Sequence, residues 1–229
     1  MYLKFLGVGA AFNYFTNNNC AYFKQNGKLY IFDMGEKICD KILALHLLDD
    51  VDEIVVLITH LHSDHIGSLE PFLYWIHFFS KKTVKVFYPL KDNLKKLLQL
   101  TGLDFDFEIY NDYSLIKDLK VEPVEVPHIL GSYAYFVYSK EINFYYSGDT
   151  SELLDRAVRE LKSGKIDEMY HEVTTSLNAM IHTHISVLNN AFNMEERKKI
   201  TLMHLANEET LNEGKKAGYN IALEEKVHG

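Results

Sequence analysis

The feature that most constrains this chain is an apolar strand that ends in a cluster of metal-ligand side chains. Ile54 to Ile58 is a continuous apolar run, which predicts a buried strand. It continues directly into Thr59-His60-Leu61-His62-Ser63-Asp64-His65-Ile66-Gly67. His60 and His62 are two residues apart, so their side chains can leave the strand end on the same side. Imidazole and carboxylate groups suit zinc and similar divalent ions, and four of them at one strand end can divide between two ions.

This stretch resembles the His-x-His-x-Asp-His motif of the metallo-β-lactamase superfamily. The resemblance implies an α/β protein with that superfamily's metallo-β-lactamase fold, a four-layer αββα sandwich, and we expect one domain over residues 1–229. The opening Lys4-Phe5-Leu6-Gly7-x-Gly9 looks like the first strand of the ribonuclease Z-like branch. Asp33-Met34-Gly35 resembles the turn that supports the metal ligands in the superfamily.

The resemblance also implies the remaining metal ligands, which follow three predicted strands. His128 comes after Pro127, Asp149 lies in a Ser-Gly-Asp-Thr turn, and His204 ends the strand Lys199 to Leu205. One ion would be held by His60, His62 and His128, the other by Asp64, His65 and His204, with Asp149 between them. We expect two divalent ions, zinc first and manganese as the alternative. Two such ions lower the pKa of a shared water enough for it to act as a nucleophile near neutral pH.

Two further elements indicate an acid that protonates the leaving group. Tyr170-His171-Glu172-Val173-Thr174 resembles the His-Glu-Ala-Thr element of ribonuclease Z-like enzymes, and His182-Thr183-His184-Ile185-Ser186 looks like their Gly-His-Ser-Thr element. The resemblance favours His184 as the catalytic histidine paired with Glu172, and His182 is a second candidate. A carboxylate can orient an imidazole and keep it protonated for donation to the leaving oxygen. We count Asp64, within the metal motif, as a third catalytic residue.

Several secondary-structure elements can be predicted around these motifs. Gln25-Asn26-Gly27 predicts the turn of a hairpin between two strands, and residues 105–110 are predicted to form a later strand. Residues 69–79 have an unusually aromatic helical pattern. Most of such a stripe belongs to the core. The aromatic side chains beyond those needed for the core suggest either stacking on a nucleobase beside the metals or burial against a second subunit.

The composition limits the substrate and the location. A formal net charge of −8 disfavours a broad basic surface, so an extended nucleic acid is not expected as a partner. The chain has no apolar run near the roughly 20 residues that span a bilayer. It contains only Cys20 and Cys39 and opens on a strand pattern rather than a signal peptide, so we expect a cytoplasmic protein without a membrane partner.

Together these motifs look like the anti-Pycsar group of phage and bacterial enzymes, ribonuclease Z-like proteins that hydrolyse cyclic mononucleotides. That resemblance implies a small cyclic nucleotide as substrate, a linear nucleoside monophosphate as product, evasion of nucleotide-signalled antiviral defence, and a homodimer. One alternative is transfer-RNA 3′ processing, the familiar activity of ribonuclease Z. Phe12 to Asn17, however, stands where ribonuclease Z carries a basic loop. The other alternative is a non-catalytic metal-binding protein that recognises a nucleotide.

Overall fold

The computed structural model describes residues 2–178 and 180–227, and within them two six-stranded sheets. The first sheet contains β1 (Lys4–Gly7), β2 (Cys20–Gln25), β3 (Lys28–Phe32), β4 (Glu53–Leu57), β5 (Thr83–Phe87) and β6 (Ile109–Tyr110). The second sheet contains β7 (Lys120–Glu125), β8 (Tyr133–Tyr138), β9 (Phe144–Tyr146), β10 (Glu168–Glu172), β11 (Ile200–Met203) and β12 (Asn220–Ile221). Each sheet therefore comes from one half of the chain.

The two sheets share one pattern of strand pairing. In each, the strands lie side by side in chain order, the first two pairings are antiparallel and the next three are parallel. The predicted hairpin is confirmed as β2 and β3, which join through Asn26 and Gly27, both at positive φ. Parallel neighbours end at the same edge of a sheet, so the loops that follow β4, β9 and β11 can converge.

Helices cover the outer face of each sheet. They are α1 (Ile38–Ala44), α2 (Ser63–Ile66), α3 (Leu69–Phe79), α4 (Lys91–Thr101), α5 (Asp155–Ser163), α6 (Ile185–Ala191), α7 (Met194–Arg197) and α8 (Glu208–Lys216). The first four follow strands of the first sheet and the others follow strands of the second, which gives four layers. Within residues 2–178 and 180–227 none of the helices has the length and apolar character needed to cross a bilayer.

An aromatic core joins the two sheets. Phe23, Phe32 and Tyr30 from the first sheet pack with Phe144 and Tyr146 from the second, and all five side chains are buried. Phe32 and Tyr146, one from each sheet, have ring centroids 4.8 Å apart. Each fully buried large side chain contributes on the order of 2 kcal/mol by leaving water. One further core lies between the first sheet and its helices, and another lies between the second sheet and its helices.

The aromatic helix α3 is partly core, as predicted, but its surplus aromatics lie far from the metal motif. Phe72 is buried, whereas Phe78 and Phe79 at the end of the helix are exposed. Phe79 lines a cleft with Asp52, the residue before β4, while the metal motif follows the other end of β4. The suggested stacking of these rings on a nucleobase beside the metals is therefore wrong.

The predicted strand over residues 105–110 is also shorter than expected. Only Ile109 and Tyr110 pair with β5. Phe105 packs on α3, where its ring stacks on His77 at a centroid distance of 4.0 Å. This side-chain contact holds the segment away from the sheet edge.

Candidate metal centre

The first half of the chain brings four candidate ligands to the end of β4. His60 and His62 follow the strand, and His62, in extended backbone, is the residue before the short helix α2. Asp64 and His65 lie in the first turn of α2 and are buried. The predicted arrangement, with a strand feeding a ligand-bearing turn, is present.

The second half brings three more candidate ligands to the same place. His128 follows β7, Asp149 follows β9 and His204 follows β11. The halves meet closely at Gly148, where an added Cβ would lie 2.9 Å from the Cβ of Thr59. His204 has a φ of 54°, a left-handed conformation that is costly for a non-glycine residue. Its backbone N–H donates to Asn19 Oδ1 at 3.2 Å, which helps to hold this turn.

His60, His62 and His128 form the first group. His62 Nδ1 lies 3.0 Å from His60 Nε2 and 3.2 Å from His128 Nε2. Three ring nitrogens thus converge on one small volume. Burial, and secondarily the neighbouring His65, holds the pKa of His60 well below its usual range. A neutral imidazole is the form that binds a metal ion.

Asp64, His65, Asp149 and His204 form the second group, and all four are buried. His204 Nε2 lies 3.3 Å from Asp64 Oδ2 and 3.3 Å from Asp149 Oδ2. Burial would raise the pKa of Asp149, but the charges of His204 and His65 outweigh it and hold that pKa well below its usual range. Burial likewise opposes the ionisation of Asp64, but hydrogen bonds from His204 and His65 outweigh it and lower that pKa. Both aspartates are therefore available as anionic ligands.

These residues fit two divalent cations. Asp149 Oδ2 is 3.7 Å from His128 Nε2 in the first group and 3.3 Å from His204 Nε2 in the second, so the carboxylate stands between the groups. His65 Nε2 and Asp149 Oδ1 are fully buried and lie 3.4 Å apart, and neither makes a hydrogen bond within the described residues. Buried polar atoms without a partner are costly, and a cation would satisfy both. The assignment of these seven residues as ligands remains a prediction that the geometry supports.

Asp33 orients the second group from behind. It accepts hydrogen bonds from His65 Nδ1 at 2.8 Å and from the Thr59 N–H at 2.7 Å, and it is fully buried. Its own φ is 63°, so the backbone is held in a strained turn. A carboxylate that accepts from Nδ1 of a histidine leaves Nε2 as the metal-binding atom. The resemblance of Asp33-Met34-Gly35 to a supporting turn agrees with this position.

The expected pairing of Glu172 with His184 is wrong in the structure, because His182 occupies that place. His182 Nδ1 lies 3.0 Å and 3.1 Å from the two carboxylate oxygens of Glu172. His184 instead caps the start of α6, where its Nδ1 accepts from the N–H of Ser186 at 3.2 Å. His182 lies in a bend before the extended His184, so the side chains of the two histidines need not leave on the same side as they would in a regular strand. A backbone bridge between Thr174 and His184 fixes which of them faces Glu172.

Buried hydrogen bonds hold the Glu172 and His182 pair beside the metal groups. The Thr150 N–H donates to Glu172 Oε1 at 2.8 Å, and Thr183 Oγ1 donates to the Thr150 carbonyl at 2.8 Å. One ring nitrogen of His182 lies within 4.8 Å of candidate ligand atoms of His128 and Asp149. Thr183 was not singled out from the sequence. No local pattern marks Thr183, because its hydrogen-bond partner Thr150 lies 33 residues earlier in the chain.

The fold of the chain matches the folds of two solved structures. The metallo-β-lactamase fold protein YhfI from Bacillus subtilis aligns with a TM-score of 0.71 at 14% identity, covering 96% of this chain and 95% of that one. The short form of human tRNase Z aligns with a TM-score of 0.69 at 19% identity, covering 100% and 98%. At these identities the likeness concerns the fold. Fold and site together define a protein of the metallo-β-lactamase fold with a candidate centre for metal ions.

Sequence similarity identifies the family within that class. The family description "Anti-Pycsar protein Apyc1" matches residues 1–228. Anti-Pycsar protein Apyc1 from Paenibacillus sp. (strain J14) is 34% identical over 209 residues, which cover 81% of this chain and 82% of the relative. This chain belongs to the anti-Pycsar protein Apyc1 family. The resemblance predicted from the motifs is confirmed at the level of superfamily and of family.

Proposed function

We propose that this protein is a cyclic-nucleotide phosphodiesterase that converts cyclic mononucleotides to linear nucleoside monophosphates, and that it acts against Pycsar antiviral defence. The observation that carries the proposal is the Glu172 and His182 pair beside two adjoining groups of metal-ligand side chains. Hydrolysis of a phosphodiester needs positive charge on the phosphate and a proton for the departing alkoxide. The site offers a separate element for each need.

The residues of the chain divide these tasks between them. Two divalent ions held by His60, His62, His128, Asp64, His65, His204 and Asp149 would supply Lewis-acid charge and a water of lowered pKa. Burial lowers the pKa of His182, but its hydrogen bond and charge interaction with Glu172 outweigh this and raise the pKa overall. The pair therefore favours the protonated imidazole, in which Nδ1 donates to Glu172 and Nε2 carries the second N–H. We propose that His182 Nε2 protonates the leaving oxygen and that Glu172 orients the imidazole of His182.

The composition of the site favours zinc, because histidine supplies five of the seven proposed ligands and zinc readily accepts nitrogen. Manganese is the alternative. We further propose a cytoplasmic protein, since Cys20 and Cys39 are both free thiols in buried positions. The exposed end of α3, with Phe78 and Phe79, is the proposed contact of a homodimer. Residues 1–229 are proposed to form one domain.

Substrate turnover tests this function. Metal-loaded protein should convert cyclic CMP, UMP, AMP or GMP to the linear monophosphate, as followed by chromatography, and added chelator should stop the reaction. Glu172→Gln, which keeps the side-chain shape, is the matched control and should bind metal without comparable turnover. The proposal is falsified if all cyclic mononucleotides stay intact while a precursor transfer RNA is trimmed at its 3′ end.

Salt dependence separates the two substrate classes further. A mononucleotide engages one phosphate, so its KM should change little between 50 and 200 mM salt. A transfer-RNA processor that contacts six to ten phosphates would lose roughly 10³-fold or more in affinity over that range. Nucleotide binding without any turnover in metal-loaded protein would instead support the non-catalytic alternative.

A further inference from the structure

The loop between β1 and β2 carries an unusual surface. Phe12, Tyr14 and Phe15 are 95%, 86% and 82% exposed, although aromatic side chains normally seek burial. The rings of Tyr14 and Phe15 contact each other, with centroids 4.3 Å apart. Three exposed aromatic rings within four residues, two of them in contact, form an apolar patch, which is typical of a binding surface.

Hydrogen bonds fix this loop beside the metal centre. Asn13 Nδ2 donates to the carbonyl of Leu205 at 2.8 Å, and the N–H of Ala10 donates to the same carbonyl at 3.1 Å. Leu205 directly follows the proposed ligand His204. The base of the loop is closed by the Gly9 N–H, which donates to the Asn17 carbonyl at 2.9 Å. The aromatic patch therefore has a defined position on the His204 side of the site.

A cleft of about 370 Å³ separates the loop from the turn at Glu36 and Lys37. Phe12 and Tyr14 line one wall, and the turn forms the other. That turn also adjoins the metal centre, since a Cβ added at Gly35 would lie 2.1 Å from the backbone oxygen of Asp64. Both walls of the cleft thus contact residues of the second ligand group or their chain neighbours.

The chemistry of the loop indicates what the cleft binds. Residues 10–19 contain three aromatic side chains and four asparagines and no charged residue. Such a wall offers ring faces for stacking and amides for neutral hydrogen bonds, and the facing turn adds the opposite charges of Glu36 and Lys37. A nucleobase has the complementary faces and edges.

We propose that this cleft is the nucleobase subsite of the enzyme, with Phe12 and Tyr14 stacking on the base while the substrate phosphate lies at the metal centre. This inference rests on the proposed function, because it assumes a nucleotide substrate. It identifies the loop, rather than α3, as the aromatic element that selects the substrate. The subsite would accept different bases, because every base presents a ring face.

Paired substrates and paired variants test the subsite. Kinetic constants are measured for cyclic CMP and for an abasic 3′,5′-cyclic phosphate of 1-deoxyribose, which keeps the reacting group and lacks the base. Phe12→Leu and Tyr14→Leu remove the ring but keep apolar character, and Tyr14→Phe is the ring-retaining control. We expect each leucine variant to raise KM for cyclic CMP roughly 5- to 100-fold, the scale of one base–aromatic stack. Both leucine variants should lower the ratio of kcat/KM for cyclic CMP to kcat/KM for the abasic substrate, and Tyr14→Phe should restore that ratio toward the wild-type value.

Three results would overturn the subsite. Unchanged KM for cyclic CMP in both leucine variants would remove any role of the rings. Equal losses on both substrates would show that the loop only supports the metal centre. Dissociation of a dimer by the same variants in sedimentation, with losses restored at high protein concentration, would assign the patch to a second copy of the chain.

A binding measurement separates this inference from the proposed function. Cytidine and ribose are titrated into metal-loaded wild type and Tyr14→Leu, with saturation-transfer NMR as the readout. Cytidine should bind the wild type at least fivefold more tightly than it binds the variant, and ribose should bind neither appreciably. Cytidine binding of this kind without any phosphodiester turnover would leave the subsite in place and reject the enzymatic proposal. Equal cytidine binding by both proteins would reject the subsite alone.

Discussion

Replacing His182 by glutamine is expected to abolish most turnover while leaving the metals bound. Glutamine can still donate a hydrogen bond to Glu172, so the buried carboxylate keeps a partner and the truncation penalty of roughly 1–3 kcal/mol is largely avoided. The glutamine side chain has no ionisable proton to donate to the leaving oxygen. Loss of a general acid typically lowers kcat by roughly 10²- to 10⁴-fold. We expect a fall within that range for His182→Gln.

His184→Gln is the matched control, because the same substitution two residues away should have the opposite effect. His184 makes no hydrogen bond to Glu172 and instead caps α6 by accepting from Ser186. Losing a helix cap costs roughly 0.5–1 kcal/mol. For a chain of this size that corresponds to a fall in Tm of roughly 2–4 °C per kcal/mol. We expect His184→Gln to lower Tm slightly and to keep kcat within about twofold.

The assay combines kinetics on a cyclic mononucleotide, elemental analysis and a pH profile. Since Glu172 raises the pKa of His182, the acid form persists to higher pH than in an isolated histidine, and kcat should fall as pH rises through that pKa. This limb should be missing in His182→Gln. An inactive His184→Gln together with an active His182→Gln would refute the assignment. The ligand groups would be unaffected by that result.

Two other properties can be predicted from the structure. Protein purified without chelator should contain about two equivalents of divalent metal by elemental analysis. Asp149→Ala should lose more of this metal than His62→Ala, because Asp149 lies between both groups. One equivalent in fully loaded wild type would contradict this prediction. Burial opposes the ionisation of Glu160, but hydrogen bonds from Lys165, Tyr138 and Arg156 outweigh it and lower its pKa to about 2 from 4.5. A lowered pKa stabilises the fold above the unfolded-state value and ceases to do so as pH falls from about 4.5 to 2. Because Lys165 and Arg156 are partly exposed and solvent screens their charges, Glu160→Gln should lose about 1 kcal/mol of stability at pH 7 in urea unfolding and progressively less toward pH 3. A difference that stays constant over that range would contradict the ion-pair account.

Features set by neighbouring residues could be predicted from the sequence. The metal motif follows one buried strand, so alternation along the backbone was enough to place His60 and His62 together. The β2–β3 hairpin depended on Asn26 and Gly27, two residues suited to positive φ. Family resemblance, rather than local pattern, gave the four layers and the positions of His128 and His204.

Features set by long-range contacts could not be predicted in this way. Whether His182 or His184 faces Glu172 depends on a bridge from His184 to Thr174, ten residues earlier. The extent of β6 depended on Phe105 stacking on His77 instead of continuing the strand. Helical periodicity in α3 separated the buried from the exposed face but held no information on which end of the sheet Phe78 and Phe79 would reach.

The matching pairing pattern of the two sheets has a consequence for how the molecule is held together. Neither half of the chain contains a complete ligand group: the first group takes His62 from one half and His128 from the other, and the second takes Asp64 and His204 in the same way. A cation at either position would be a cross-link between two architecturally equivalent modules, whose one covalent connection runs through residues 111–119. Metal affinity and the association of the two modules would then be thermodynamically linked, so that a higher free metal concentration would favour the associated state of the modules.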